Sequence, residues 1–497
     1  MSQGLMLLII FAIMLFFMFL GTSVFSSMGF TAIIGMLIWL GFKTVSQFGN
    51  IAYTQASFNE NQLIAPMFIM MSEFLSQGRV AEDIFSVLNR AVGKFKGGLA
   101  IATTLACTIF AALCGSSPAT AASIGRISIA EMTKRGYAPS FAVGTVAAGG
   151  TLGIMIPPSI TFCLYGILTE TSIVQLLMAG FIPGLMLSAF IIISILIRVR
   201  ISPSLIGGAA GNGAVKSPSE LSLSEAREIV GGAKTLAAEE RAAAAGKKAG
   251  SESESLTQEE LQQQALKQAS LSQDEGEKKA TIFTIIPALI LIFVVLGSMY
   301  LGWATTIEAA GYGVLGAFII VLAQRRMTGK LFSTVFLNTA RTGTMMIFLM
   351  ICGYTMSYMI SYLGIATTIA NAISGSGLSR YMILLLMTVL WFILGCLMDP
   401  ASMLILTVPF LIETLRALGF NMVHIGVLSV LAAQIAMITP PVGMNLFVLK
   451  ANSNVSMGDV IKGAVPYVLI LLLGYVVLAA FPGISLFMPR LMGFNVR

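Results

Sequence analysis

Charged side chains are scarce in this chain, and their scarcity excludes a soluble globular protein. Only 10% of the 497 residues are Asp, Glu, Lys or Arg, whereas 57% are hydrophobic, and the mean hydropathy is +0.90. A soluble protein of this length needs much more polar surface to cover its core. The composition therefore predicts an all-α, polytopic membrane protein.

Histidine and paired cysteines are also scarce, which limits the chemistry available to the chain. His424 is the single histidine in the sequence, so neither a His-based metal cluster nor a Ser–His relay can be assembled. The cysteines lie in apolar segments without a C-x-x-C pattern, which argues against a disulfide framework and a zinc site. We expect them to be packing residues: Cys107, Cys114, Cys163, Cys352 and Cys396.

What the sequence does contain is a proline pattern that occurs twice. Three prolines in the first half are separated by 39 and 26 residues, and three in the second half by 40 and 26. Each proline removes a backbone donor that lipid cannot replace. The duplication therefore predicts two helix breaks that line one polar site. The prolines are Pro118, Pro157 and Pro183, then Pro400, Pro440 and Pro466.

Apolar runs long enough to cross a bilayer divide the chain into five predicted parts. Each of two repeats contains a re-entrant helical hairpin and a broken helix. The parts are N-terminal scaffold helices at 1–54, a first repeat at 55–200 with its hairpin at about 98–131 and broken helix at about 140–168, a polar cytoplasmic linker at 201–280, scaffold helices at 281–330, and a second repeat at 331–497 with its hairpin at about 381–416 and broken helix at about 425–449.

Basic residues orient these parts in the membrane. Outside 201–280 the chain has 20 Lys and Arg against 10 Asp and Glu, and such an excess marks cytoplasmic loops. With the basic cluster of residues 79–135 in the cytoplasm, an odd number of crossings separates the predicted span at 55–75 from its counterpart at 331–361. The second repeat is then inverted, so its hairpin enters from the opposite face.

The stretch 201–280 interrupts the apolar pattern. It is rich in Gly, Ala, Ser, Glu, Gln and Lys, and little in it could bury a core. We interpret it as a mobile linker between the repeats. A regulatory or partner-docking module is the alternative.

The doubled prolines also predict ligands for a cation. Pro157 and Pro158 cannot donate to the carbonyls of Gly153 and Ile154, and the prolines of the second half likewise leave those of Ala436 and Met437 unpaired. Hard oxygen ligands with almost no charge suit a monovalent ion such as Na⁺. Proline kinks that are satisfied by neighbouring helices are the alternative explanation.

Side chains at the hairpin tips add to these carbonyls. The first tip offers the hydroxyls of Ser116 and Ser117, and the second offers Asp399 with Ser402. A carboxylate inside a membrane is costly, so Asp399 is a candidate for ion ligation or proton relay. Its alternative role is the N-cap of the limb that begins at Pro400.

A basic side chain near the first tip could bind an anionic substrate. Arg126, on the return limb of the first hairpin, is the best-placed basic residue. Snorkelling to the cytoplasmic surface and a salt bridge with Glu131 are its alternatives.

The motifs at these positions resemble the large membrane subunit, M-type and DctM-like, of the TRAP (tripartite ATP-independent periplasmic) transporters. The resemblance covers nearly the whole chain apart from residues 201–280. The matching segments are GSSPATAASIGRISIAEMTKRGY, GGTLGIMIPPS, MDPASMLILTVPF and ITPPVGMNLFVLKA.

The resemblance implies an elevator-type carrier in which a transport domain with both hairpins moves against a scaffold. It implies Na⁺-coupled symport of a small organic anion, such as sialic acid or a C4-dicarboxylate, across the bacterial inner membrane. A periplasmic binding protein would deliver the substrate. A small membrane subunit, Q-type, would be a separate chain, and no cofactor other than Na⁺ is implied.

The resemblance also assigns residues to each site. The first sodium site would use Cys114, Ser116, Gly153, Ile156 and Pro158. The second, by internal symmetry, would use Cys396, Asp399, Ala436, Thr439 and Pro441. The substrate would lie between the tips, near Ser117, Arg126, Ser159, Gly443 and Asn445.

Three other functions are compatible with parts of the pattern. A symporter that works without a binding protein shares the architecture. An intramembrane aspartyl protease needs two carboxylates at one site, and the other mid-membrane candidate, Glu73, lies in a different element of the repeat. A channel is disfavoured because two hairpins that close a midplane site suit binding and release better than continuous conduction.

Overall fold

The computed structural model describes residues 3–57, 60–207, 282–365, 367–368, 371, 377–440 and 443–495. Nearly all of these residues are helical, which confirms the prediction of an all-α membrane protein. Most of the predicted linker at 201–280 lies outside the described residues. Its first residues do not: the preceding helix continues to Ile201 and is followed by a 3-10 turn at Pro203–Ile206.

The first half contains ten α-helices within the described residues. A π-helical turn at Met36–Leu40 extends the second helix, and 3-10 turns lie at Glu60–Leu63 and Leu152–Ile154. The helices are α1 Gln3–Phe19, α2 Val24–Gly35, α3 Phe42–Ser57, α4 Ile64–Gln77, α5 Val80–Val92, α6 Gly98–Cys114, α7 Ser117–Lys134, α8 Pro139–Thr151, α9 Ile160–Thr169 and α10 Ile173–Ile201.

The second half has the same order of helices as the first half, beginning with the long third helix of the second half. The described helices are α11 Ile282–Tyr300, α12 Thr306–Ala323, α13 Gly329–Tyr362, α14 Arg380–Leu397, α15 Pro400–Ala417, α16 Met422–Ala436, α17 Met444–Ala451, α18 Met457–Ala480 and α19 Pro482–Leu491.

The helix breaks fall where the prolines predict them. One lies between α6 and α7, where Pro118 occupies the first turn of α7, and its counterpart lies between α14 and α15, which begins at Pro400. A proline in a first turn loses no helical hydrogen bond, so it favours a helix start. The third proline of each set behaves differently, because Pro183 and Pro466 lie inside the unbroken helices α10 and α18.

Several described helices are long and apolar enough to cross a bilayer, namely α10, α12, α13, α14 and α18. Helix α14 was predicted as one limb of a re-entrant hairpin, yet its length alone is sufficient for a full crossing. The other limb, α15, bends by 63° between Val408 and Phe410.

One sequence prediction of helix position was wrong, and two helices were missed. Residues 55–75 do not form one span, because α3 ends at Ser57 and α4 begins only at Ile64. The amphipathic helices α3 and α5 were not predicted at all. Both mix apolar and polar residues, so neither has the long apolar run on which the prediction of spans depended.

The helices pack in two groups. Helix α4 packs against α12 and α13, and α13 packs against α2. In the other group α8 packs against α6, α7 and α18, and α16 packs against α14. The two repeats also pack against each other: α7 contacts α17 of the second repeat, and α15 contacts α9 of the first. We call the first group the scaffold group and the second the hairpin group.

The closest contact between the two repeats is the crossing of α8 and α18. A side chain at Gly144 would place its Cβ 2.1 Å from the Gly463 carbonyl oxygen, and one at Gly463 would lie 1.9 Å from that of Ser140. No larger residue fits at either position. Small residues at such a crossing let two membrane helices pack backbone against backbone.

Polar contacts at the helix ends agree with the predicted sides of the membrane. Arg326 donates to both carboxylate oxygens of Asp83, over 2.8 and 3.0 Å, and to the Gly78 carbonyl. The basic-residue pattern predicts that both of these turns are cytoplasmic. At the other end, Arg416 donates to the Thr169 carbonyl over 2.6 Å, and the same pattern predicts both residues outside.

Candidate functional site

The first hairpin tip lies against the break between α8 and α9. Gly115 has a φ of +63°, and a Cβ there would lie 2.6 Å from the Pro158 carbonyl oxygen. A Cβ at Gly153 would lie 2.6 Å from the carbonyl oxygen of Ser116. Only glycine permits both approaches. The structure therefore brings together the tip and the break that were predicted to share the first cation site.

The carbonyls at the breaks are not all unpaired, which corrects the sequence prediction. The Ser159 hydroxyl turns back and donates to the Ile154 carbonyl over 2.6 Å. In the second half, the carbonyl of Met437 accepts from the backbone N–H of Asn445 and that of Ala436 accepts from Thr439, both over 3.1 Å. A carbonyl oxygen has two lone pairs, so each of these groups keeps one for a further ligand.

The second tip carries the acidic residue. Asp399 caps α15: one carboxylate oxygen accepts from the Ser402 N–H over 3.0 Å, and the other accepts from the Ser402 hydroxyl. The carboxylate is half-buried. The alternative proposed for Asp399, an N-cap, is thus observed, and it leaves lone pairs available because each oxygen accepts one bond here.

The other members of the predicted second site are less closely grouped. A Cβ at Gly395, next to Cys396, would lie 2.7 Å from the Ala436 side chain, so α14 and α16 pack tightly there. The Thr439 hydroxyl donates to the Ile435 carbonyl over 2.6 Å. Pro441 lies outside the described residues. In the first half, the remaining member, Ile156, packs against Gly184 of α10.

The predicted substrate residues include one direct contact between the repeats. The Asn445 side-chain amide, at the start of α17, donates to the Ser117 hydroxyl, at the start of α7, over 2.6 Å. Both residues are fully buried, and the Asn445 amide oxygen has no partner among the described residues. Ser159 is also fully buried, as the N-cap of α9. Gly443 precedes α17 with a φ of +55°.

Arg126 lies apart from this cluster. Its side chain is 69% exposed and pairs with Glu82 of α5, 3.2 Å away. The alternative partner proposed for it, Glu131, instead pairs with Arg135 over 2.8 Å. Contact between Arg126 and a substrate stays a prediction.

Two polar residues near the site were missed by sequence reasoning. Ser72 of α4 shares a hydrogen bond with the thiol of Cys114, with 3.0 Å between Oγ and Sγ. Gln434 of α16 is fully buried, and neither polar atom of its amide has a partner among the described residues. The available signal was that each is a polar residue within an apolar helix.

Oxygen atoms with little charge therefore dominate the surroundings of both tips. Within the part of the chain that the structure describes, no three His, Cys, Asp or Glu side chains converge as a metal centre. Carbonyls and hydroxyls with one carboxylate are ligands that suit a monovalent cation better than a divalent one.

Comparison with known proteins identifies transporter relatives of this chain. Residues 11–484 match the family model described as "Tripartite ATP-independent periplasmic transporter, DctM component". The chain is 30% identical to the C4-dicarboxylate TRAP transporter large permease protein DctM of Pseudomonas aeruginosa, over 87% of each chain. It is 27% identical to the isethionate TRAP transporter permease protein DctMQ of Oleidesulfovibrio alaskensis, over 96% of this chain and 66% of the relative.

Among solved structures, the fold is similar to that of the YdaH transporter of Alcanivorax borkumensis. The TM-score is 0.59 at 14% identity, and the match covers 90% of each chain. At this identity the likeness concerns the fold alone.

Proposed function

Because the chain belongs to the DctM component family of tripartite ATP-independent periplasmic transporters, we propose that it couples Na⁺ entry to the uptake of a small organic anion. It is thus a transporter subunit rather than an enzyme. Its substrate would be a carboxylate or another small acid, such as a C4-dicarboxylate or sialic acid. The relatives named above carry a C4-dicarboxylate and isethionate, which are both small anions.

The observation that carries the proposal is the meeting of the two repeats at Ser117 and Asn445. Each residue lies at the start of a helix that follows a break, and the two helix starts belong to different repeats. The positive ends of helix dipoles stabilise an anion, so an anionic substrate can be held there without a nearby lysine or arginine. The guanidinium of Arg126, which pairs with Glu82, is not required.

Sodium coupling is supported by the chemistry of the tips. Gly115 lets the Pro158 carbonyl approach the tip, Gly153 lets the Ser116 carbonyl approach the break, and Asp399 supplies one negative charge. These ligands suit Na⁺ better than a divalent ion. We assign about two sodium sites, one to each break.

Two partners follow from the tripartite architecture of the family. A periplasmic binding protein would deliver the anion, and a small Q-type membrane subunit would pack beside the scaffold group. The name of the relative DctMQ combines the letters of the M-type and Q-type membrane subunits. This chain would then reside in the bacterial inner membrane.

An elevator movement is supported by the grouping of the helices. The scaffold group (α2, α4, α12 and α13) and the hairpin group (α6–α8, α14, α16 and α18) are packed mainly within themselves. In the proposed cycle the hairpin group moves across the membrane as a unit, together with α15, which completes the second hairpin.

Reconstitution tests the proposal directly. The chain and its small subunit are placed in proteoliposomes, and uptake of a radiolabelled anion is measured with the cognate binding protein outside. The substrate is first identified by a thermal-shift screen of that binding protein. We expect uptake only with an inward Na⁺ gradient.

Two controls separate the alternatives. A choline gradient of equal ionic strength replaces Na⁺, and uptake that is equally fast in choline would overturn the sodium coupling. Omission of the binding protein tests the partner. Saturable, high-affinity uptake without it would favour a binding-protein-independent symporter instead.

A further inference from the structure

A row of small polar contacts joins the first hairpin to α4 of the scaffold group. The Ser72 hydroxyl and the Cys114 thiol share a hydrogen bond over 3.0 Å, and the hydroxyls of Ser76 and Ser123 share another over 3.0 Å. Ser72 and Ser76 are one helical turn apart, so both face the hairpin from the same side of α4. The contacts thus lie at the boundary between the two groups.

The position of Cys114 gives the first of these contacts a functional meaning. Cys114 is the last residue of α6 and precedes Gly115, whose backbone lies against the Pro158 carbonyl. Ser72 therefore holds the residue that begins the turn at the predicted first cation site. Cys114 is 1% exposed and Ser72 is 7% exposed, so water does not compete for the bond.

A contact between α13 and the second hairpin is apolar and tightly packed. A Cβ at Gly353 of α13 would lie 2.1 Å from the side chain of Ile405 in α15. Such interlocked packing resists sliding. Single hydrogen bonds between hydroxyls are weaker and can be exchanged for others with little loss.

We propose that Ser72 and Ser76 form a latch that fixes the first hairpin tip on α4 in this conformation and releases it when the hairpin group moves. Ser72 acts as a positioning residue, since it touches the tip through Cys114. The inference rests on the proposed function, which supplies the movement that the latch would control.

The native thiol of Cys114 makes the latch testable by cross-linking. In the Ser72→Cys variant the two sulfur atoms start close enough to form a disulfide after a small shift. Two copper(II)–phenanthroline complexes each accept one electron and become copper(I), and the two thiols release two protons. We expect a rapid cross-link, loss of at least about 90% of uptake, and recovery after reduction with dithiothreitol, since a locked conformation cannot alternate.

A second pair of cysteines keeps the latch testable if the Ser72→Cys variant misfolds. Ser76→Cys combined with Ser123→Cys should give the same inhibition by a disulfide that omits the tip. The matched control is Ser76→Cys alone, which removes the same hydroxyl and introduces no second thiol at position 123. Its uptake should be insensitive to the oxidant.

The cross-linking rate, read on a gel, provides a result that does not depend on uptake. With Na⁺ in place of choline, we expect the rate for the Ser72→Cys variant to change by at least about threefold, because ion binding shifts the conformational populations. An equal rate in both salts would overturn the latch, as would full uptake by quantitatively cross-linked protein. Failure of the wild type to transport would instead count against the proposed function.

Discussion

The two hairpin tips have the same helix breaks but different chemistry. The first tip is neutral and tightly enclosed: Gly115 and Gly153 press backbone against backbone, and Ser72 of the scaffold group holds Cys114. The second tip is half-buried and carries the carboxylate of Asp399. Duplication therefore preserved the position of the breaks without preserving the ligands around them.

With the proposed function, this difference predicts two cation sites of unequal strength. A site built from carbonyls and hydroxyls binds through dipoles that must be held at fixed positions, so it depends on geometry. A site with a carboxylate gains from a full charge and tolerates a less rigid cage. Each of the following experiments tests one side of this comparison.

The largest effect is expected from filling the space between the first tip and its break. Gly153→Ala would place a Cβ 2.6 Å from the Ser116 carbonyl oxygen and 2.8 Å from the Thr120 hydroxyl. We expect uptake to fall by about 100-fold, because a displacement of about 1 Å within a binding site has effects of that size. Uptake in proteoliposomes is the measurement.

Gly311→Ala in α12 is the control for this substitution, since no atom lies within 4 Å of the added Cβ. It should transport like the wild type. Wild-type uptake by the Gly153→Ala variant would show that the close approach is unnecessary.

The next effect concerns the charge of the second tip. Asparagine caps a helix as well as aspartate does, so Asp399→Asn removes the charge and keeps α15 capped. We expect the half-saturating Na⁺ concentration to rise by about 10-fold, or the cooperativity for Na⁺ to decrease, while insertion persists. The measurement is the Na⁺ dependence of uptake.

Asp399→Ala serves as the comparison, because it removes both the charge and the cap and should also lower thermal stability. An unchanged Na⁺ dependence in the Asp399→Asn variant would mean that Asp399 is a cap and nothing more.

A smaller effect is expected where the first hairpin tip meets the broken helix of the second repeat. Ser117→Ala and Asn445→Ala each remove one end of the hydrogen bond between the repeats. A double-mutant cycle on the half-saturating substrate concentration should give a coupling of about 1 kcal/mol, since the bond joins two neutral, buried groups. Strictly additive effects would indicate that the two residues act separately.

The smallest effect is expected at Arg126. Its guanidinium is 69% exposed and its partner is Glu82, so Arg126→Ala should change uptake by less than about twofold. The control is Arg135→Ala, which breaks the comparable ion pair with Glu131. A loss that is specific to Arg126 and exceeds about 10-fold would assign this residue to substrate binding after all.

The breaks themselves could be predicted from the sequence because proline has a local effect. Pro118 and Pro400 both fall in the first turn of a helix, as expected of a residue without a backbone N–H. Pro183 and Pro466 instead lie within long apolar runs and do not break their helices. A single proline within a long membrane helix can be accommodated by its neighbours, and both helices continue.

The partners at the site could not be predicted in this way, because they depend on distant parts of the chain. Ser117 and Asn445 are 328 positions apart, and nothing local to either residue specifies their hydrogen bond. The return of the Ser159 hydroxyl to the Ile154 carbonyl depends on the dihedral angles of the break. Ser72 reaches Cys114 only because α4 packs beside the first hairpin.

The glycine crossing of α8 and α18 has a consequence for how the two repeats move. With no layer of side chains between Gly144 and Gly463, these helices cannot rotate or slip past each other without a backbone collision. One helix belongs to each repeat, so the two repeats are rigidly coupled at this crossing. In the proposed cycle both predicted ion sites would then move across the membrane together, and neither repeat could advance alone.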